Sequence, residues 1–183
     1  EELAVCPGGE IVRAKDGKLL ASKLYKLEYN APVVQEGVIY GIDGGGGKAV
    51  KLPAQASDAL EVQEVWSNKP KKERYYASPM LKDGLLYAID QKRAFTVFDA
   101  KNGEVVYSKD LVDLKGTAYP SLAAAGKYVY IGSDSGQTKV IEAGREFKEI
   151  ALNQLESCRS SPIFSGNRIY LRTSKALYCI GTP

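Results

Sequence analysis

The side chains that could carry chemistry in this 183-residue chain are defined first by a gap, because it has no histidine. The commonest general base and the commonest metal ligand are therefore missing. Neither a Ser-His-Asp nor a Cys-His mechanism can be built from these residues alone. Cys6, Cys158 and Cys179 are far apart and show no Cys-x-x-Cys spacing, so they do not form a zinc motif. Nothing in their spacing selects a disulfide pair, and the plain expectation is three small buried hydrophobes. Asp43, Asp90 and Asp134 each follow a recurrent tyrosine at the end of an apolar run. That placement suits carboxylates that cap turns. Gly44 to Gly47 form a glycine run, but no Gly-Lys-Ser/Thr and no helical pattern follows. A flexible turn is expected there instead of a phosphate loop. What does recur is a chemistry of recognition: Tyr29, Tyr76, Tyr119 and Arg159, with Arg74 and Tyr75 extending the second position. Aromatic rings and arginine are the side chains that most often anchor partners.

Those positions belong to a repeat, and the repeat dictates the elements that hold them. Tyr29–Tyr40, Tyr76–Tyr87, Tyr119–Tyr130 and Arg159–Tyr170 align without gaps. The fourth residue of each is an anchor, Pro32, Pro79, Leu122 or Pro162, at spacings of 47, 43 and 40 residues. Four and five residues after the anchor stand Glu36-Gly37, Asp83-Gly84, Gly126-Lys127 and Gly166-Asn167. Such pairs predict two-residue hairpin loops of type I′ or II′. The anchor proline fits the start of a strand, where its missing N–H is tolerated. Tyr40, Tyr87, Tyr130 and Tyr170 close the hairpins and are expected to pack between sheets with the hydroxyl reaching a partner.

Two further strand-like runs follow the first three hairpins. They are Lys48–Leu52 and Leu60–Trp66, then Ala94–Phe98 and Glu104–Tyr107, then Lys139–Glu142 and Phe147–Ile150. Four short antiparallel strands per unit of about 40 to 45 residues mark the blade of a β-propeller. The fold class is therefore all-β. Glycine, proline and asparagine interrupt the chain too often for a sustained helical period. Leu3–Cys6, Ile11–Ala14 and Lys18–Ser22 supply a partial blade over 1–28. Blades follow at about 29–75, 76–118 and 119–158, with a second partial blade at 159–183. That is four to five blades' worth of strands in one domain. Open strand edges would then remain, so the expectation is part of a ring of about six to eight blades, with a small closed ring of about five blades as the alternative. The opening Glu1-Glu2-Leu3 looks like an interior cut, and open edges offer a route to self-association.

Charge adds little. The net formal charge is +3, too small an excess to imply a nucleic-acid partner. The basic cluster Lys69, Lys71, Lys72 and Arg74 is expected to be a solvated loop. No apolar run approaches the roughly 20 residues of a membrane-spanning helix.

The run Tyr76-Ala-Ser-Pro-Met-Leu-Lys-Asp-Gly-Leu-Leu-Tyr-Ala-Ile-Asp90, followed by Phe98-Asp-Ala-Lys-Asn-Gly-Glu-Val-Val-Tyr107, resembles the PQQ-like, quinoprotein-type propeller repeat. The resemblance extends from about residue 10 to the C-terminus. It implies one of two groups: PQQ-dependent dehydrogenases, or non-enzymatic outer-membrane assembly lipoproteins of the BamB type. The repeat's closing Trp, which in the family docks each blade on its neighbour, appears once as Trp66; Tyr107 holds its place in the next unit. In the dehydrogenases PQQ lies beneath a disulfide of adjacent cysteines, over a Trp and beside calcium. This chain has no adjacent cysteines and no recognisable calcium constellation. The resemblance thus implies a non-catalytic scaffold without a cofactor, located outside the cytoplasm. Its expected partners are a protein or peptide, or the missing part of its own propeller. A fragment of a PQQ- and calcium-dependent oxidoreductase is the alternative.

In a propeller the first strand of each blade lines the central channel. Tyr29, Tyr76, Tyr119 and Arg159 stand three residues before the anchors, which symmetry places in an arc at the channel mouth. The arc is the expected binding surface, with Arg74 and Tyr75 on the same loop. The alternative is that these rings only plug the channel or pack between blades.

Overall fold

The computed structural model describes residues 2–55, 59–69 and 72–181, and no helix occurs among them. The chain forms successive antiparallel meanders, each a separate sheet. Blade I contains β1 (Leu3–Val5), β2 (Ile11–Arg13) and β3 (Leu19–Ala21). Blade II contains β4 (Val33–Gln35), β5 (Val38–Asp43), β6 (Gly46–Lys51) and β7 (Gln63–Asn68). Blade III contains β8 (Met80–Lys82), β9 (Leu85–Ile89), β10 (Ala94–Asp99) and β11 (Val105–Asp110). Blade IV contains β12 (Ala123–Ala125), β13 (Tyr128–Gly132), β14 (Gln137–Glu142) and β15 (Lys148–Gln154). Blade V contains β16 (Ile163–Ser165), β17 (Arg168–Arg172) and β18 (Leu177–Gly181). Four-stranded propeller blades are thus the building unit.

The hairpins form where the glycine pairs stand. Glu36 and Gly37 have φ of 50° and 74°, and Asp83 and Gly84 have 51° and 72°. Both residues positive is the type I′ pattern. Gly126 and Gly166, at 54° and 56°, are positive at the first position only, the φ pattern of type II′. Each anchor lies immediately before a three-residue first strand. The outer strands carry a feature the sequence hides. Pairing between the third and fourth strands slips at Ala49/Val50, Val97/Phe98 and Val140/Ile141. A bulge at the same place in three blades increases the twist of the outer edge.

The outer runs also differ in extent from the sequence expectation. β7 begins at Gln63, not Leu60, and β15 continues to Gln154. The glycine run is only half a turn, because Gly46 and Gly47 pair within β6. Part of the polar excursion before β7, residues 56–58, lies outside the described residues.

Apolar clusters fill the spaces between blades. Ile11, Leu20, Ile39 and Val50 join blades I and II. Tyr40, Ile42, Trp66, Leu86 and Phe98 join II and III. Tyr87, Phe95, Leu114, Val129, Ile131 and Ile141 join III and IV. Burying each large side chain contributes about 1.5–3 kcal/mol. Trp66 docks blade II on blade III: its Nε1–H donates to Ala100 O at 2.8 Å, and its ring lies against Gly103. In the next blade Tyr107 takes that role, with its ring 6.2 Å from Phe95 and 6.3 Å from Phe147. Three of the recurrent tyrosines, Tyr40, Tyr87 and Tyr130, pack between sheets, the last against Phe164 at 4.8 Å.

Candidate binding surface

Blades III, IV and V each hold their rim loop with a recurring backbone hydrogen bond. The N–H of Gln91 donates to Arg74 O at 2.7 Å, Asp134 N–H to Thr117 O at 2.9 Å, and Ser174 N–H to Ser157 O at 2.9 Å. The acceptor always stands two residues before the rim residue, so Tyr76, Tyr119 and Arg159 leave their loops at the same point. A side-chain hydrogen bond then links one blade to the next. Ala31 N–H donates to Ser78 Oγ at 3.1 Å, and Ser78 N–H donates to Ser121 Oγ at 3.2 Å. These serines directly precede the anchors Pro79 and Leu122, so the serine position of the repeat clamps neighbouring first strands.

First strands converge, and the rim residues therefore meet. The rings of Tyr29 and Tyr76 are 5.0 Å apart, and those of Tyr76 and Tyr119 are stacked at 4.6 Å and 21°. The Arg159 guanidinium caps the Tyr119 ring at 4.3 Å, and Arg74 lies 5.7 Å from the Tyr29 ring. The result is one continuous stack, Arg74–Tyr29–Tyr76–Tyr119–Arg159. Each ring contact contributes about 0.5–1.5 kcal/mol and each exposed cation–π contact about 0.5–1 kcal/mol. Tyr29 remains 43% exposed, both arginines are exposed, and Tyr76 and Tyr119 are half-buried. A hydrogen bond to the Glu28 carboxylate raises the Tyr29 phenol pKa. A hydrogen bond to Tyr76 does the same for the Arg74 guanidinium.

Tyr75 is a correction. It is 2% exposed and sits in the cluster between blades II and III, so it is not part of the binding surface. Extended backbone sends neighbouring side chains to opposite sides. The preceding position is buried in the next two repeats as well, as Ala118 and Cys158. That apolar column was a readable signal.

Asp43 and Asp90 cap turns, whereas Asp134 bonds the rim loop. Asp43 accepts from Glu28 N–H at 3.1 Å and Gly45 N–H at 3.3 Å. Asp90 accepts from Lys92 and Ala94 N–H at 2.8 and 2.9 Å. Asp134 accepts from Thr117 N–H at 2.8 Å but stands one place later in its repeat. The Asp90 pattern returns at Thr173, whose Oγ1 accepts from Lys175 and Ala176 N–H at 3.2 and 3.1 Å. Lys139 is 0% exposed yet held between Asp113 at 2.7 Å and Glu149 at 2.6 Å, a structural ion pair that sequence reasoning missed. In the basic cluster, Lys72 and Arg74 line a cleft of about 700 Å³ shared with Lys26, Glu28, Asp43 and Glu73, where acids balance bases. Lys71 lies outside the described residues.

A PQQ and calcium site does not fit this donor set. The three cysteines are free thiols. Cys158 is buried, which raises its thiol pKa, but Cys179 is exposed, against the expectation of three buried hydrophobes. Trp66 is committed between blades. Among the described residues no three of Cys, Asp and Glu converge as a metal site would need. No helix among those residues is long and apolar enough to cross a membrane.

Comparison with known proteins agrees with this architecture. BamB from Moraxella catarrhalis superposes with a TM-score of 0.65 at 13% identity, covering 93% of this chain and 51% of its own. The chain therefore spans about half the length of that protein. A europium-containing methanol dehydrogenase gives a TM-score of 0.53 at 11% identity, covering 69% of this chain and 24% of its own. The computationally designed Ika4 protein gives 0.58 at 12% identity, covering 90% of this chain and 100% of its own. At these identities the likeness is one of fold. No curated protein matches the chain in sequence. The sequence pattern of the family described as outer membrane protein assembly factor BamB matches residues 10–182, and the chain belongs to that family of PQQ-like propeller proteins.

Proposed function

We propose that this chain is a non-catalytic propeller scaffold that binds a protein segment along the rim of its first strands, outside the cytoplasm of a bacterium. The observation that carries the proposal is the stack Arg74–Tyr29–Tyr76–Tyr119–Arg159, drawn from blades II to V on one face. Rigid rings lose little conformational entropy when a partner covers them. Arginines at both ends supply charged donors with planar faces. The family's description as an outer membrane assembly factor supports a protein partner and an extracytoplasmic place.

A selection of phage-displayed linear peptides on the protein supplies test ligands. Replacing Tyr76 and Arg159 together by Ala is expected to weaken the selected peptides by tenfold or more, in keeping with loss of central anchors. Losing two ring contacts and one cation–π contact should lower the melting temperature by about 4–12 °C and leave one cooperative transition. Unchanged affinity would remove the stack from the binding surface. Collapse of the melting transition would show that the stack is packing and nothing else.

A further inference from the structure

The stack ends differently at its two sides. At the Arg74 end, the neighbouring charges are matched: Glu73 is held by Lys92 and by Gln91 Nε2 at 3.0 Å, and Glu28 is bonded to Tyr29. At the Arg159 end, the arginine that caps Tyr119 also lines a cleft of about 540 Å³ between the rim loop of blade V and the turn joining β17 to β18. Its polar lining is Ser157, Arg159, Ser160, Arg172, Ser174 and Asp134. Among the described residues neither Arg159 nor Arg172 has a carboxylate within ion-pair distance, and both are exposed. The hydroxyls leave a donor in place. Ser157 Oγ donates to Ser174 Oγ at 3.3 Å, so the Ser174 hydroxyl keeps its own proton for a ligand. Ser160 Oγ donates to Arg172 O at 2.6 Å and fixes the strand end that carries the second guanidinium.

We infer that this cleft binds a carboxylate, the acidic side chain of a peptide segment that lies along the tyrosine stack. The inference rests on the reading of the stack as a peptide-binding surface and gives that surface a direction: the acidic end of the partner lies over blade V. Guanidinium groups present planar forks that match a carboxylate. Asp134 bears on which anion fits. One of its oxygens holds Thr117 N–H at 2.8 Å, and its charge leaves the cleft with a single net positive charge. A monoanion neutralises that charge, whereas a phosphate dianion overshoots it beside a like-charged group.

The test uses one peptide selected as above, synthesised with a single Glu and, separately, with Gln at the end placed over blade V. Binding is followed by amide chemical shifts of the whole labelled chain. The Glu peptide is expected to bind about tenfold more tightly than the Gln peptide, with shifts at Ser160, Thr173 and Ser174. Arg172→Gln should abolish that preference. Arg74→Gln should leave the preference intact. Equal affinity of the two peptides would overturn the carboxylate site while sparing the stack. A preference that survives Arg172→Gln would overturn it too, as would tighter binding of a phosphoserine version. A roughly tenfold weakening of both peptides at Tyr76→Ala, with the Glu preference present in the parent protein, supports both readings. No effect of Tyr76→Ala would overturn the stack alone.

Discussion

Tyr76 and Tyr87 stand in the same repeat, and both positions recur as tyrosine in neighbouring blades. Tyr87 is 0% exposed, packs against Phe95 with ring centroids 6.1 Å apart, and accepts the Gly144 N–H at 3.0 Å through its hydroxyl. Tyr76 is half-buried and touches Tyr29 and Tyr119 across blade boundaries. One set of tyrosines joins blades from inside the sheets, and the other meets at the rim with its edges in solvent. Regular recurrence therefore identifies a position that every blade needs or offers. It does not say which. Burial and the partner of the hydroxyl make the distinction.

The largest effect that separates the two sets is expected in alkali. Burial raises the Tyr25 phenol to about 12, with nearby Cys6 and Glu10 adding to the shift, and burial also raises the phenols of Tyr75, Tyr107 and Tyr87. The folded state keeps these protons where unfolded phenols, at about 10, release them. Their contribution is complete below about pH 10 and is lost as pH rises through the folded values. Urea midpoints should be flat at lower pH and fall steeply above it, with phenolate absorbance of the buried rings appearing together with unfolding. Phenolate from those rings in a still-folded protein would contradict their burial.

Tyr87→Ala comes next. Emptying this site should cost about 3–5 kcal/mol by chemical denaturation. Tyr87→Phe keeps the ring and strands the Gly144 N–H, for a cost of about 1–2 kcal/mol. Tyr76→Ala removes two ring contacts and should cost less, about 1–3 kcal/mol, while weakening selected peptides about tenfold. Equal stability losses at Tyr76 and Tyr87 would erase the distinction between the two sets.

Much of the fold was legible because hairpin chemistry is local. Asp83-Gly84 and Gly166-Asn167 determine their own turns, and the anchors mark the first strands. Most of the rim stack was legible because Tyr29, Tyr76, Tyr119 and Arg159 stand at one distance from those anchors. What escaped depends on neighbours in space. Tyr75 and Tyr76 look equivalent as letters, and only the backbone's alternation sends Tyr75 into the core. The serine clamps at Ser78 and Ser121 need the next blade to have a meaning. Thr173 takes the Asp90 role with a hydroxyl, so a search for carboxylates passes over it. Lys139 reads as a surface residue until Asp113 and Glu149 are found on either side of it. The slips in the outer strands leave no compositional mark, and the start of β7 was misjudged because Leu60 packs in an interblade cluster without joining the strand.

The most direct measurement labels the tyrosine rings for NMR and adds a selected peptide to the intact chain. The account predicts that ring signals of Tyr29, Tyr76 and Tyr119 shift and saturate together while those of Tyr40 and Tyr87 stay in place. Shifts confined to the buried rings, or none at the rim while the peptide binds, would contradict it.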